Sequence, residues 1–101
     1  MIVLHVSLPV DPAHRDDAID LITDLVEQSN REAGTIDYRA AVDVQDENTI
    51  HIFEQYEDEA ALESHTETDH YRAFQEESPA LLAGEPDAVE FAVGEARELD
   101  L

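Results

Sequence analysis

Residues 50–74 read IHIFEQYEDEAALESHTETDHYRAF. Ile50, Ile52, Glu54 and Tyr56 recur at every second residue, the period of a strand with one buried face. Asp58 breaks the alternation and is placed to cap a helix carrying Ala61, Leu62 and His65. Thr66 or Thr68 then opens a second helix, with His70, Tyr71 and Phe74 in its first turns. The stretch is therefore a strand, a helix, a sharp break and another helix. His65, His70, Tyr56, Tyr71, Phe74 and Glu54, a carboxylate in phase with isoleucines, fall within a few turns of each other. If the chain has a site, this segment holds it.

The neighbouring segments complete a pattern around this one. Ile36 to Val44 alternates, with Ile36, Tyr38, Ala40, Val42 and Val44 inward and Asp37, Arg39 and Asp43 outward. Across a polar turn at Gln45-Asp46-Glu47-Asn48 it pairs as a hairpin with Ile50–Tyr56. Upstream, Ile2 to Leu8 is a strand with apolar residues on both sides, ended by Pro9. Asp11-Pro12 starts a helix in which Ala18, Ile19, Ile22, Leu25 and Val26 form one apolar stripe. Gly34 is expected to stop that helix in the left-handed C-cap conformation. Downstream, Ser78-Pro79 must kink or restart the second helical run, and Ala88 to Val93 is the last strand.

The order β-α-β-β-α-β predicts an α+β, ferredoxin-like fold over residues 1–94, with residues 95–101 as an acidic C-terminal tail. Right-handed crossovers place both helical segments on one face of a four-stranded antiparallel sheet. The other face is left bare, yet it carries Val3 and Phe53. An apolar sheet face of this kind is a partner site, so a homodimer with sheets packed face to face is expected.

Composition narrows the class. At 101 residues the chain is one domain. Asp and Glu number 26 against 5 Arg and no Lys, for a net charge of −21. Such a balance also occurs in disordered acidic chains, but 43% of the residues are hydrophobic and they fall in regular periods. The pattern fits a folded halophilic protein. In molar salt the Debye length shrinks to about 3 Å and surface carboxylates repel each other weakly. The charge disfavours nucleic acid and anionic membranes as partners. No apolar run reaches the roughly 20 residues of a membrane span. There is no cysteine, hence no disulfide frame, and a cytoplasmic location is expected.

From Glu54 to Phe74 the pattern E-x-Y-x-D-x-x-A-x-x-x-H-x(4)-H-[YF]-x-x-F resembles the antibiotic biosynthesis monooxygenase (ABM) family, especially its small quinol monooxygenase-like members. Gly34 with Tyr38 resembles that family's Gly-x(3)-Tyr segment, and the likeness runs from about Met1 to Val93. The resemblance implies a dimeric α+β barrel and a pocket between sheet and helices. It also implies oxygenation of an electron-rich aromatic without metal or flavin, the substrate anion itself giving an electron to O₂. Two departures stand out. There is no Trp, which polyketide-oxidising members use in the pocket. Gln75 stands near the place of the haem-degrading branch's axial histidine.

On this reading His65 is the candidate base and Glu54 the carboxylate that orients it, with Tyr56, His70 and Phe74 as substrate-lining residues. Each has a structural alternative. His65 could plug the helix junction, Glu54 could pair with Arg39 or Arg72, and the aromatics could be core. His65 with His70 invites a metal, but the helix break separates them and the sequence offers no obvious third ligand, so no cofactor or metal is expected. His5 and His51 read as strand residues at the sheet face. The expected function is a cofactor-independent monooxygenase of a quinol or polyphenol. The alternatives are a non-enzymatic dimeric domain that binds a small hydrophobic ligand, and isomerase or stress-related chemistry on a small carbonyl compound.

Overall fold

The computed structural model describes residues 1–101. Its elements are β1 (Ile2–Pro9), α1 (Arg15–Ser29), β2 (Thr35–Asp43), β3 (Asp46–Tyr56), α2 (Glu59–Thr66), α3 (Asp69–Glu77) and β4 (Asp87–Ala92). The sheet order is β2-β3-β1-β4 with every pair antiparallel, which is the ferredoxin-like arrangement. No helix is long and apolar enough to cross a membrane.

The local signals act where the side chains can reach. Asp11 accepts a hydrogen bond from the Ala13 N–H (3.0 Å) at the start of a single 3-10 turn, Pro12–His14, and α1 begins only at Arg15. Asp58 accepts from the Ala61 N–H (2.8 Å) and Thr68, not Thr66, from the Tyr71 N–H (3.3 Å), satisfying donors that the first turns of α2 and α3 leave free. Pro79 forms a 3-10 turn, Ser78–Ala80, after α3.

Two local expectations are corrected. Gly34 does not cap α1: no glycine has a positive φ, and the helix ends at Ser29. The Asn30 side chain instead donates to the Val26 carbonyl and to the Tyr38 carbonyl (2.8 Å), tying the end of α1 to β2. Gly34 is required for a different reason. A Cβ there would lie 2.4 Å from the Ala61 Cβ, so α2 can close onto the 30–34 turn only over a bare Cα. The hairpin turn is also shorter than expected. Asp43 pairs with Asp46 across Val44-Gln45, and the Asp43 and Asp46 carboxylates accept from the Gln45 and Asn48 N–H groups (2.7 and 3.0 Å). Val44 is consequently exposed on the turn rather than inward.

The core lies between the sheet and the helices. Ile2 and Leu8 of β1, Tyr38 of β2 and Ile50, Ile52 and Tyr56 of β3 meet Ala18, Ile22 and Leu25 of α1 and Phe74 of α3. Ile36 and Val42 remain about half exposed, because irregularities in register flank both ends of β2 and α1 leaves an open groove beside Ala40, Val42 and Ile50. The face away from the helices is uncovered. His5 is paired with Phe53 on one side and Val89 on the other, and Val3 is paired with Phe91. Phe53, Val89 and Phe91 are all exposed there. The tail, residues 95–101, has no regular structure, and Leu99 and Leu101 are exposed.

Candidate functional site

Under the break between α2 and α3 lies a cavity of about 190 Å³. Leu4, Val6 and Ile52 form part of its sheet wall, Leu62, Tyr71 and Phe74 part of its helix wall, and Tyr38, Glu54 and His65 bring polar groups to it. An engineered apolar cavity of about 150 Å³ takes up benzene. The space here therefore suits a single aromatic ring.

His65 is on this wall and is 1% exposed. It sits in the last turn of α2, with the rings of Tyr38, Tyr56, His70 and Tyr71 at centroid distances of 5.1–6.0 Å. Its Nδ1 lies 2.8 Å from Glu32 Oε2, and the same oxygen lies 2.7 Å from His70 Nε2. A carboxylate can only accept, so both facing nitrogens carry protons. In the neutral ring that leaves the lone pair of His65 on Nε2. This Nε2 is buried and has no partner. A buried polar atom left alone calls for an explanation, and a ligand O–H in the adjoining cavity is one.

Glu54 is buried on the same wall, but it is not the group that holds His65. Its Oε1 accepts from the Tyr56 hydroxyl (2.5 Å), and it pairs with neither Arg39 nor Arg72, whose carboxylates are Asp37 and Asp69. Burial pushes the Glu54 carboxyl above its usual range, against the hydrogen bond from Tyr56 and the nearby His65, which pull it down. Burial, with Glu54 next to them, also pushes the Tyr38 and Tyr56 hydroxyls far above their ordinary range, so both remain neutral donors.

The residues expected from sequence therefore separate. His65, Glu54 and Phe74 line the cavity. Tyr56 lies fully buried behind Glu54, and His70 stands beyond His65 against Glu32, so neither forms its wall. Glu32 was missed. It sits in the turn after α1, 33 residues from His65, and carries no periodicity that would mark it among 26 acids. The clue was its place two residues before Gly34, the position that lets α2 approach. Glu32 also supplies the third donor that the sequence did not show: its carboxylate, His65 and His70 present ligand atoms all within 4.8 Å of one another, a set able to hold a metal ion.

A βαββαβ sheet with one helical layer and an aromatic-sized cavity beneath a broken helix defines a ferredoxin-like domain with a small-molecule pocket. Residues 1–77 match the family described as antibiotic biosynthesis monooxygenase, and the chain belongs to that family. It is 34% identical over 95 residues to YcnE of Bacillus subtilis, a protein provisionally named a monooxygenase, covering 94% of this chain and 100% of YcnE. Protein PA3566 of Pseudomonas aeruginosa superposes with a TM-score of 0.83 at 29% identity, over 89% of this chain and 90% of that one. Rv0793 of Mycobacterium tuberculosis shares the fold with a TM-score of 0.90 at 18% identity, over 96% and 98% of the two chains.

Proposed function

We propose that the protein is a monooxygenase that oxidises a single-ring hydroquinone with O₂, with His65 Nε2 taking the proton from a ring hydroxyl. One observation carries the reading: a buried imidazole on the wall of a ring-sized cavity, its Nδ1 pinned and its Nε2 unpartnered. Family membership supports the oxygenase class.

The chemistry requires no outside reductant. Removal of the hydroxyl proton gives an aryl oxide, which passes one electron to O₂. The resulting aryloxyl radical and superoxide join at a ring carbon, and loss of water leaves a hydroxyquinone. Hydroquinone plus O₂ becomes hydroxyquinone plus water, with four electrons leaving the ring and four entering O₂. The protein supplies a proton acceptor in place and a largely apolar cavity. Glu54 faces the same space. Because burial holds its proton more tightly, it repels an anionic substrate less than an ordinary carboxylate would. Tyr71 and Phe74 confine the ring, while Tyr56 and His70 act from behind, on Glu54 and Glu32.

The assembly we propose is a homodimer in which two uncovered sheet faces meet. Val3, Phe53, Val89 and Phe91 support it, since together they form an apolar surface on the side the helices leave open.

O₂ uptake with hydroquinones in molar salt tests the reaction, with isotopically labelled O₂ expected to leave one atom in the product. His65→Ala should lower uptake by about 10²–10⁴-fold, the usual worth of a positioned proton acceptor, with circular dichroism unchanged. Hydroquinone binding without uptake would make the protein a ligand-binding domain instead.

A further inference from the structure

We propose that Glu32, His65 and His70 form a site for one divalent transition-metal ion, and that filling it disables His65 as a proton acceptor. The site itself rests on geometry alone; the second half rests on the reading of His65 given above.

Three separate segments deliver the donors: the turn after α1, the end of α2 and the first turn of α3. Their ligand atoms are Glu32 Oε2, His65 Nδ1 and His70 Nε2. Two imidazoles and one carboxylate suit borderline ions such as Zn²⁺ or Co²⁺. Mg²⁺ and Ca²⁺ prefer all-oxygen sites and would compete poorly. The side chains of Glu32 and His70 are 14% and 12% exposed, against 1% for His65, so an ion can enter from their side and water can complete its coordination. No guanidinium competes for Glu32, whose partners are the two histidines.

Metal and proton cannot share these nitrogens. In the metal-free cluster His65 Nδ1 and His70 Nε2 each carry a proton directed at Glu32. An ion takes the lone pair at each, and the ring protons move to His65 Nε2 and His70 Nδ1. Each neutral ring keeps its single proton, but the unpartnered Nε2 of His65 changes from acceptor to donor. A substrate hydroxyl then meets an N–H and loses its base.

Co²⁺ titration of the full chain, in molar KCl with excess Mg²⁺ to occupy surface carboxylates, tests the site by visible absorption. One saturable ion per chain is expected, and Glu32→Gln or His70→Asn should weaken it by more than about 100-fold, since even second-shell losses cost 10–100-fold. Absorption that fails to saturate, or is the same in both variants, would overturn the site. Should a variant not fold, long-range proton–nitrogen NMR of the wild-type histidines decides: Zn²⁺ must move the His65 proton from Nδ1 to Nε2, and a proton that stays on Nδ1 sinks the proposal. Equimolar Zn²⁺ should abolish O₂ uptake and a chelator restore it. Uptake that continues with the ion bound overturns the switch. A metal-free chain that never takes up O₂ defeats the functional reading instead, and leaves the Co²⁺ result to stand on its own.

Discussion

The protein contains two clusters built from the same parts, one carboxylate and two imidazoles, and the sheet separates them. Under the helices, a single Glu32 oxygen binds both His65 and His70. On the open face the groups form a line: Asp43 Oδ2 to His51 Nε2 (2.8 Å), then His51 Nδ1 to His5 Nε2 (2.9 Å). In the line, half-exposed rings can find water for any nitrogen the protein leaves free. In the buried cluster His65 is closed off from solvent, and its Nε2 is left without a partner. Identical chemistry is thus a surface network in one place and a candidate active site in the other, and burial makes the difference.

The contrast can be broken by measurement. The largest effect is expected on activity: His65→Ala should remove O₂ uptake while His51→Ala leaves it within about twofold, and equal losses would erase the distinction between the clusters. Next comes assembly. Phe53→Asp with Phe91→Asp places charge on the open face, where both side chains are exposed. Light scattering in molar salt should show single chains for this variant and dimers for the wild type.

A smaller effect is expected from Tyr56→Phe, which removes the Tyr56 hydroxyl as a donor to the buried Glu54. It should cost about 1–3 kcal/mol in denaturant melts, the range for a buried polar group that loses a hydrogen-bond partner. Glu54→Gln sharpens the point through pH. The carboxyl is raised in the folded state, so it favours folding below its ordinary range near 4.5 and loses that contribution as pH rises through its raised value. The Gln variant should therefore gain on the wild type as pH rises through that window, and parallel pH curves would refute the buried carboxyl. The smallest effect belongs to the open face. The hydrogen bond from His51 holds the Asp43 carboxyl below its usual range, so its contribution is present at neutral pH and fades on acidification. His51→Ala should move the acid unfolding midpoint slightly upward.

Much of this could be read from residues 50–74. Ile50, Ile52, Glu54 and Tyr56 are all buried on one face, as their alternation requires, and Asp58 and Thr68 begin their helices through the hydrogen bonds expected of them. The burial of His65 was legible from its phase with Ala61 and Leu62. The identity of its partner was not, because that contact joins a turn to a helix across 33 residues and depends on how closely the two pack. Glu54 stands out by its alternation with isoleucines, whereas in the sequence Glu32 is one more acid among 26. The same limit explains Gly34. A glycine after a helix signals a cap as readily as a close approach, and only the position of Ala61 tells them apart.

That approach ties two positions 27 residues apart into one variable. A methyl group added at residue 34 must push α2 away, and with it His65, from the turn that holds Glu32. Removing the methyl from residue 61 should give the space back. The spacing of the His65–Glu32 pair is therefore governed by two of the smallest residues in the molecule, neither of which can take part in any chemistry.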